Sequence, residues 1–167
     1  MIAIDGRLEV LLPQLSGRVR TARLQMLATG SVALGRLPCP VYGRWGYDYA
    51  QQAPDGRIFV GGGRDLHVDE EWTLDATPSA PVQTYIEHLA ARMAGEPVRV
   101  DARWAASAGF TVAADGRPVC GPVADGVMAC GGYSGTGNLV GPVATRAAVA
   151  HLLDGTPVPS CFDDLSN

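Results

Sequence analysis

Lysine is absent from this 167-residue chain, and all thirteen of its basic residues are arginine. Schiff-base chemistry and a lysine general base are excluded on that ground. Metal-ligand spacing is missing as well. Cys39, Cys120, Cys130 and Cys161 form no C-x-x-C pair, and His67, His88 and His151 are scattered without an H-x-x-x-H pair. The cysteines read as free thiols of a reducing compartment, and no metal is expected. No run approaches the roughly 20 apolar residues that span a bilayer. Nor does a basic stretch, an apolar run and a cleavage site open the chain. A soluble, cytoplasmic protein with no membrane partner is the expectation. Excess positive charge is also lacking, since the net charge is −4. A nucleic acid or an anionic membrane surface would need a concentrated basic patch, so neither is expected as a partner.

What the chain does have is an ordinary globular composition, 47% hydrophobic and 18% charged, long enough for a compact core. The apolar run at residues 1–4 stops at the Asp5-Gly6 turn and resembles a last strand entered from a preceding segment. A short helical pattern covers 8–15, and residues 19–29 read as a strand. From 41 to 53 alternation predicts another strand, with Val41, Trp45, Tyr47, Tyr49 and Gln51 on one face and Tyr42, Arg44, Asp48 and Gln52 on the other. Pro54-Asp55-Gly56 is a turn, and residues 57–61 return to form an antiparallel hairpin.

The clearest helix is 79–93, with Ser79 as N-cap, Val82, Tyr85, Ile86, Leu89 and Met93 on one face, and Gly95 then Pro97 ending it. Val98, Val100, Ala102 and Trp104 alternate with Arg99, Asp101 and Arg103 as a half-buried strand. Asp115-Gly116-Arg117-Pro118 is a turn. Residues 127–130 form a short buried strand that enters a glycine-rich stretch, and a helix follows to about Leu153. The predicted fold class is α+β: a mostly antiparallel sheet of three to five strands carrying a helix, with strand–loop–helix pieces at both ends.

Between that last strand and helix the chain reads Gly131-Gly132-Tyr133-Ser134-Gly135-Thr136-Gly137-Asn138. Glycines let backbone approach a ligand closely, and a helix start turns unpaired N–H groups and a positive dipole end toward it. An electron-rich or anionic group is the natural guest. A G-x-G-x-x-G fingerprint would need glycine where Val140 stands, and Pro157 and Pro159 replace the second parallel strand. A free-standing nucleotide fold is therefore rejected. A tight strand-to-helix turn without a ligand is the other reading of this loop. Pro142 suits a first helical position if Gly141 is the cap.

In their order along the chain, Arg103-Trp104, the Asp115–Pro118 turn with Gly121, the strand at 127–130 and Gly132-Tyr133-Ser134-Gly135-Thr136-Gly137 resemble the D-amino-acid-oxidase-like (DAO) family of FAD-dependent oxidoreductases, of the glycine oxidase, sarcosine oxidase and γ-glutamylputrescine oxidase kind. Upstream, residues 23–29 are similar to the family's strand leading out of the FAD domain, and 47–62 to its substrate-domain hairpin. The resemblance implies a remnant of the FAD-binding domain at 1–30, a substrate-type domain at 31–112 and a flavin-contacting segment at 113–167. It implies FAD contact by Gly132, Tyr133, Ser134, Gly135, Thr136, Gly137 and Asn138, with the helix start on the N1–C2=O side of the flavin. It also implies hydride transfer from an amine or amino acid to the flavin. Tyr47, Tyr49 and Arg44 become candidate substrate contacts, with Arg64 a further arginine for a carboxylate. No catalytic residue is assigned.

The nucleotide fingerprint, a unit of roughly 30 residues, is not in the chain. Residues 105–111 carry no carboxylate-binding arginine, and no lysine is present to promote oxygen reaction. Substrate, and oxidase against dehydrogenase, stay open. Three readings follow: a C-terminal part that works with a missing FAD-binding half, a truncated self-associating protein that binds no flavin, and a small anion-binding module. The isolated chain is expected to be inactive.

Overall fold

The computed structural model describes residues 1–162 and 165, so the end of the segment expected over 113–167 lies partly outside the described residues. The elements in order are α1 (Leu8–Leu11), β1 (Val19–Ser31), β2 (Val41–Gly43), β3 (Asp48–Gln52), β4 (Arg57–Gly62), α2 (Val68–Glu71), α3 (Ala80–Ala94), β5 (Val100–Thr111), β6 (Val119–Ala124), β7 (Val127–Gly131) and α4 (Gly137–Asp154). The chain divides into two compact units, Arg23–Ala106, and Met1–Ala22 with the described residues from Ser107 onward. The α+β class holds, with antiparallel sheets and helices in one chain.

In the unit Arg23–Ala106 a five-stranded sheet has the order β2-β3-β4-β1-β5. The Pro54-Asp55-Gly56 turn joins β3 and β4 as an antiparallel hairpin, with Ala50 opposite Val60 and Tyr49 opposite Gly61. Leu27 pairs with Val60 on β1, so Leu27, Val60 and Ala50 make one row on the face that packs on α3. Ile86, Leu89, Ala90 and Ala94 complete that core from α3. Burying an aliphatic side chain of this size is worth about 1.5–3 kcal/mol, so this face fixes the register. α3 ends at Gly95, whose φ of 75° suits glycine. Ser79 does not cap α3 through its side chain. Its hydroxyl is drawn instead into a buried network with Gln25 and Glu71.

The strand expected over 41–53 is interrupted. Arg44 and Trp45 adopt φ of 45° and 61°, and Gly46 φ of 92°, making a tight turn between β2 and β3. Tyr42 lies opposite Tyr49 across this turn, and Trp45 at its tip is fully exposed. The shared face of Val41, Trp45, Tyr47 and Tyr49 therefore does not exist. Alternation along sequence cannot distinguish one strand from two that fold back at glycine-flanked residues.

In the other unit β6 and β7 form a hairpin, and Ile2 adds a parallel bridge to Ala129 of β7. Pro13 ends the helical pattern begun by α1, and residues 13–15 continue as a 3-10 turn. Leu8, Leu15, Val19, Val119 and Ala129 form one apolar cluster, while Cys120, Met128, Cys130, Ala144, Ala148 and Phe162 form a second under α4. α4 starts at Gly137, and Pro142 sits inside it rather than at its first position. With no N–H at Pro142, the Asn138 carbonyl loses its usual helical donor.

Candidate functional site

The glycine-rich loop is built by backbone geometry. A side chain at Gly131 would strike the Ile4 carbonyl at 2.7 Å and Leu8 at 2.8 Å, so β7 can lie this close only without one. Gly132 and Gly135 have φ of 73° and 89°, and Ser134 is also left-handed at 53°. That is a strained choice for a residue with a Cβ.

Asp5 ties the loop down. Its carboxylate accepts from the Tyr133 N–H at 3.1 Å and the Gly109 N–H at 2.9 Å. The Ser134 N–H donates to the Gly109 carbonyl at 3.0 Å, and the Ser134 hydroxyl accepts from the Thr111 N–H at 3.1 Å. Asp5 in the sequence is only half of a turn signal. Nothing local announces that its carboxylate spans more than a hundred residues of chain.

Thr136 precedes α4, and its hydroxyl donates back to the Tyr133 carbonyl at 2.6 Å instead of capping the helix. The first N–H groups of α4, at Gly137 and Asn138, thus have no side-chain cap, and the positive end of the helix dipole stands with them. Beside them opens a pocket of about 400 Å3, lined among others by Gly132, Tyr133, Ser134, Thr136, Leu139 and Phe162. This volume lies within the usual range for small-molecule sites. Burial, reinforced by Cys130 and Asp5, raises the Tyr133 phenol above its ordinary value, so it is neutral at physiological pH. Of the sequence candidates, Gly132, Tyr133, Ser134 and Thr136 line this pocket. Gly135, Gly137 and Asn138 shape the loop and helix start beside it. Gly135 has nothing within 4 Å of where a Cβ would stand.

The other candidates belong to the sheet unit. Tyr49 sits in a cross-sheet row of Tyr42, Tyr49, Gly61 and Met26, on the face opposite the α3 core. Its ring stacks on Tyr42 at 6.2 Å and lies across Gly61, where any Cβ would collide with it. Burial and then Tyr42 raise its phenol pKa. Tyr47 is partly exposed beside the turn, at 42%. Arg44 is heavily engaged. It makes paired hydrogen bonds of 2.7 and 2.9 Å to Asp48 and of 2.8 and 2.9 Å to Asp65, over the face of Tyr85. Burial alone would raise the Asp48 pKa, but the bonds from Arg44 and Tyr85 hold it below the ordinary carboxylate value. Arg64 packs its guanidinium over Trp72 at 5.1 Å.

Sequence reasoning missed the buried carboxylate of Glu71, which is fully inaccessible. It accepts from Arg23 at 3.0 and 2.8 Å, from Gln25 at 3.0 and 2.9 Å and from Ser79 at 3.1 Å. Burial pushes its pKa up, and these donors bring it below the ordinary value. Among the described residues no group of His, Cys, Asp and Glu could hold a metal ion, and no helix is long and apolar enough to cross a membrane.

A sequence profile of the family described as DAO, FAD dependent oxidoreductase, matches residues 4–151. The chain belongs to this family. A comparison with curated protein sequences gives no match. Among solved structures, glycine oxidase from Bacillus cereus ATCC 14579 superposes with a TM-score of 0.69 at 16% identity, over 99% of this chain and 44% of that one. Iminodiacetate oxidase from Chelativorans sp. BNC1 gives 0.65 at 17% identity, over 92% and 42%. Glycine oxidase from Geobacillus kaustophilus gives 0.63 at 20%, over 87% and 37%. These likenesses establish a shared fold with DAO-family enzymes. The chain spans less than half the length of each of these structures.

Proposed function

We propose that this DAO-family chain is the flavin- and substrate-facing portion of an FAD-dependent oxidoreductase that oxidises an amine or amino acid. The part of the fold that would hold the FAD nucleotide lies outside these residues. The observation that carries this reading is the glycine loop and uncapped start of α4 beside a pocket of about 400 Å3. These residues fit a flavin: Gly132 lines the pocket without a side chain, and the N–H groups of Gly137 and Asn138 suit an electron-rich edge. When bound, FAD would supply hydride acceptance, the chemistry that this protein's side chains cannot provide.

The chain's own contribution is positioning. Asp5 would fix the loop, and α4 would favour negative charge at its start. Tyr47 and Tyr49 would meet the amine-bearing substrate. Arg44 would hold that aromatic turn in shape through Asp48 and Asp65, since a substrate carboxylate would have to displace them. A small-molecule amine or amino acid is the proposed substrate class, and the cytoplasm the proposed location.

A second reading has a specific observation behind it. Leu139, Val143 and Leu153 of α4 are 77%, 53% and 77% exposed. Such apolar surface suits a covering partner, either the FAD-binding half or a second copy of the chain, and a self-associating protein without flavin would also use it. A visible absorption spectrum before and after adding FAD and gel filtration separates the two. Retained flavin absorbance supports the enzyme reading. A colourless protein that returns all added FAD, and elutes as a dimer, favours the non-enzymatic one.

A further inference from the structure

Cys120 and Cys130 face each other across the β6–β7 hairpin as a register pair. Both are fully buried, and their sulfurs lie 3.7 Å apart. The neighbouring segment decides what kind of pair this is. The Cys130 N–H donates to the Ile2 carbonyl at 2.9 Å, and the Met128 carbonyl accepts from the Ile2 N–H at 2.8 Å. Backbone groups at 128 and 130 therefore point away from β6, which makes Cys120–Cys130 a non-hydrogen-bonded pair. Such pairs bring Cα atoms to about 4.5 Å with their side chains closest, and disulfides span Cα separations of about 4.4–6.8 Å. Closing a bond here needs rotation of two sulfurs and almost no movement of backbone.

A layer of side chains stands between the sulfurs and a pocket. Tyr133, Val140 and Phe162 pack with the cluster that contains them, and the same three residues line the 400 Å3 pocket. We propose that Cys120 and Cys130 are a redox-active dithiol, closed reversibly to a cross-strand disulfide by a small hydroperoxide. Cys130 is the attacking sulfur, and once it has lost its proton the Cys120 S–H, 3.7 Å away, can turn from the Ala144 carbonyl to meet the thiolate. Its thiolate attacks the peroxide O–O bond, leaving a sulfenic acid and releasing one water. The Cys120 thiol then displaces the hydroxyl as a second water, forming the S–S bond. Two thiols lose two electrons and two protons in total, and hydrogen peroxide takes them up. The Cys120 thiol, which now donates to the Ala144 carbonyl of α4 at 3.3 Å, can no longer do so. Oxidation thereby loosens a tie between α4 and the hairpin that carries the glycine loop. The proposal stands on this geometry and does not depend on flavin binding.

The test treats the full chain with hydrogen peroxide, alkylates remaining thiols in denaturant and digests with trypsin. With no lysine, and with Arg117 followed by Pro118, Cys120 and Cys130 stay together in the 104–146 peptide, apart from Cys39 and Cys161. The expected result is a 104–146 peptide lighter by two hydrogens and closed to alkylation, restored by dithiothreitol. Cys120→Ser or Cys130→Ser abolishes that species. The Cys39→Ala/Cys161→Ala protein, altered only at exposed positions, retains it and gives a decisive result even if the core variants fail to fold. Two alkylated thiols in that peptide after peroxide, or its cross-linking to the peptide carrying Cys161, would overturn the proposal.

Discussion

In the sheet unit the buried polar atoms belong to side chains. Arg23, Gln25, Glu71, Ser79 and Gln83 form one hydrogen-bonded cluster between β1 and the start of α3, and Arg44, Asp48, Asp65 and Tyr85 form another at the β2–β3 turn. In the loop unit most of the bonds around residues 131–138 involve backbone, and among the described residues Asp5 contributes a carboxylate to them. The contrast suits the roles proposed for each. Side-chain networks over-determine a sheet and keep an aromatic row in register. A loop that must approach a ring has to clear side chains from its path, and backbone conformation is then what holds it. Buried charge pairs are costly to break because the partner left behind stays out of water, whereas backbone-held loops fail in smaller steps.

The largest effect is expected where the side-chain network is broken on one side. Arg23→Met leaves Glu71 buried without its cation, and a loss of about 3–5 kcal/mol is expected, read as a drop in urea midpoint. The double variant Arg23→Met/Glu71→Gln should recover a large part of it. Acid sharpens the same point. The folded pKa of Glu71 lies below its ordinary value of 4.5. Its stabilising contribution is therefore fully present above about that pH, and lost as pH falls through the lower folded value. Removing Arg23 lets burial dominate, so the acid limb of unfolding should move to higher pH. An unchanged acid limb would mean that Arg23 does not control this carboxylate.

An intermediate effect is expected at the Asp5 carboxylate that serves the loop. Asp5→Ala strands the N–H groups of Gly109 and Tyr133, at about 1–3 kcal/mol for each group left unsatisfied. Hydrogen exchange should quicken first at residues 109 and 133, ahead of any change in the sheet unit. Exchange that quickens equally in both units would show that Asp5 supports the whole fold rather than the loop.

These two sites also mark the limit of what the sequence discloses. The 79–93 helix, the Pro54-Asp55-Gly56 hairpin and the glycine loop were legible because each rests on local chemistry: period, turn residues, and the permissiveness of glycine. The buried ends of Arg23, Gln25 and Glu71 were not. Arg23 and Gln25 alternate with Leu24 and Met26, and Glu71 stands in the acidic run 69–71, neither of which announces a buried polar group. Burial of such groups depends on partners nearly fifty residues away. The interruption at Arg44 and Trp45 was hidden for another reason, since both are poor choices for positive φ and only the flanking glycines hinted at a turn. In the candidate flavin loop the residues were legible, but their anchor at Asp5 was not.

The smallest effect tests the loop's own strain. Ser134 holds φ of 53° while its hydroxyl accepts from Thr111 at 3.1 Å. Ser134→Ala removes the hydrogen bond and keeps the strain, and about 1 kcal/mol of stability should be lost. Ser134→Gly removes the bond too, but also relieves a left-handed conformation worth about 1–2 kcal/mol to a residue with a Cβ, offset in part by the greater freedom of glycine in the unfolded chain. The glycine variant should therefore be the more stable of the two by roughly 1 kcal/mol, with an urea midpoint near that of the unaltered protein. Equal midpoints for the two variants would mean that position 134 carries no left-handed strain. The loop's shape would then rest on Asp5 and the glycines at 132 and 135 alone.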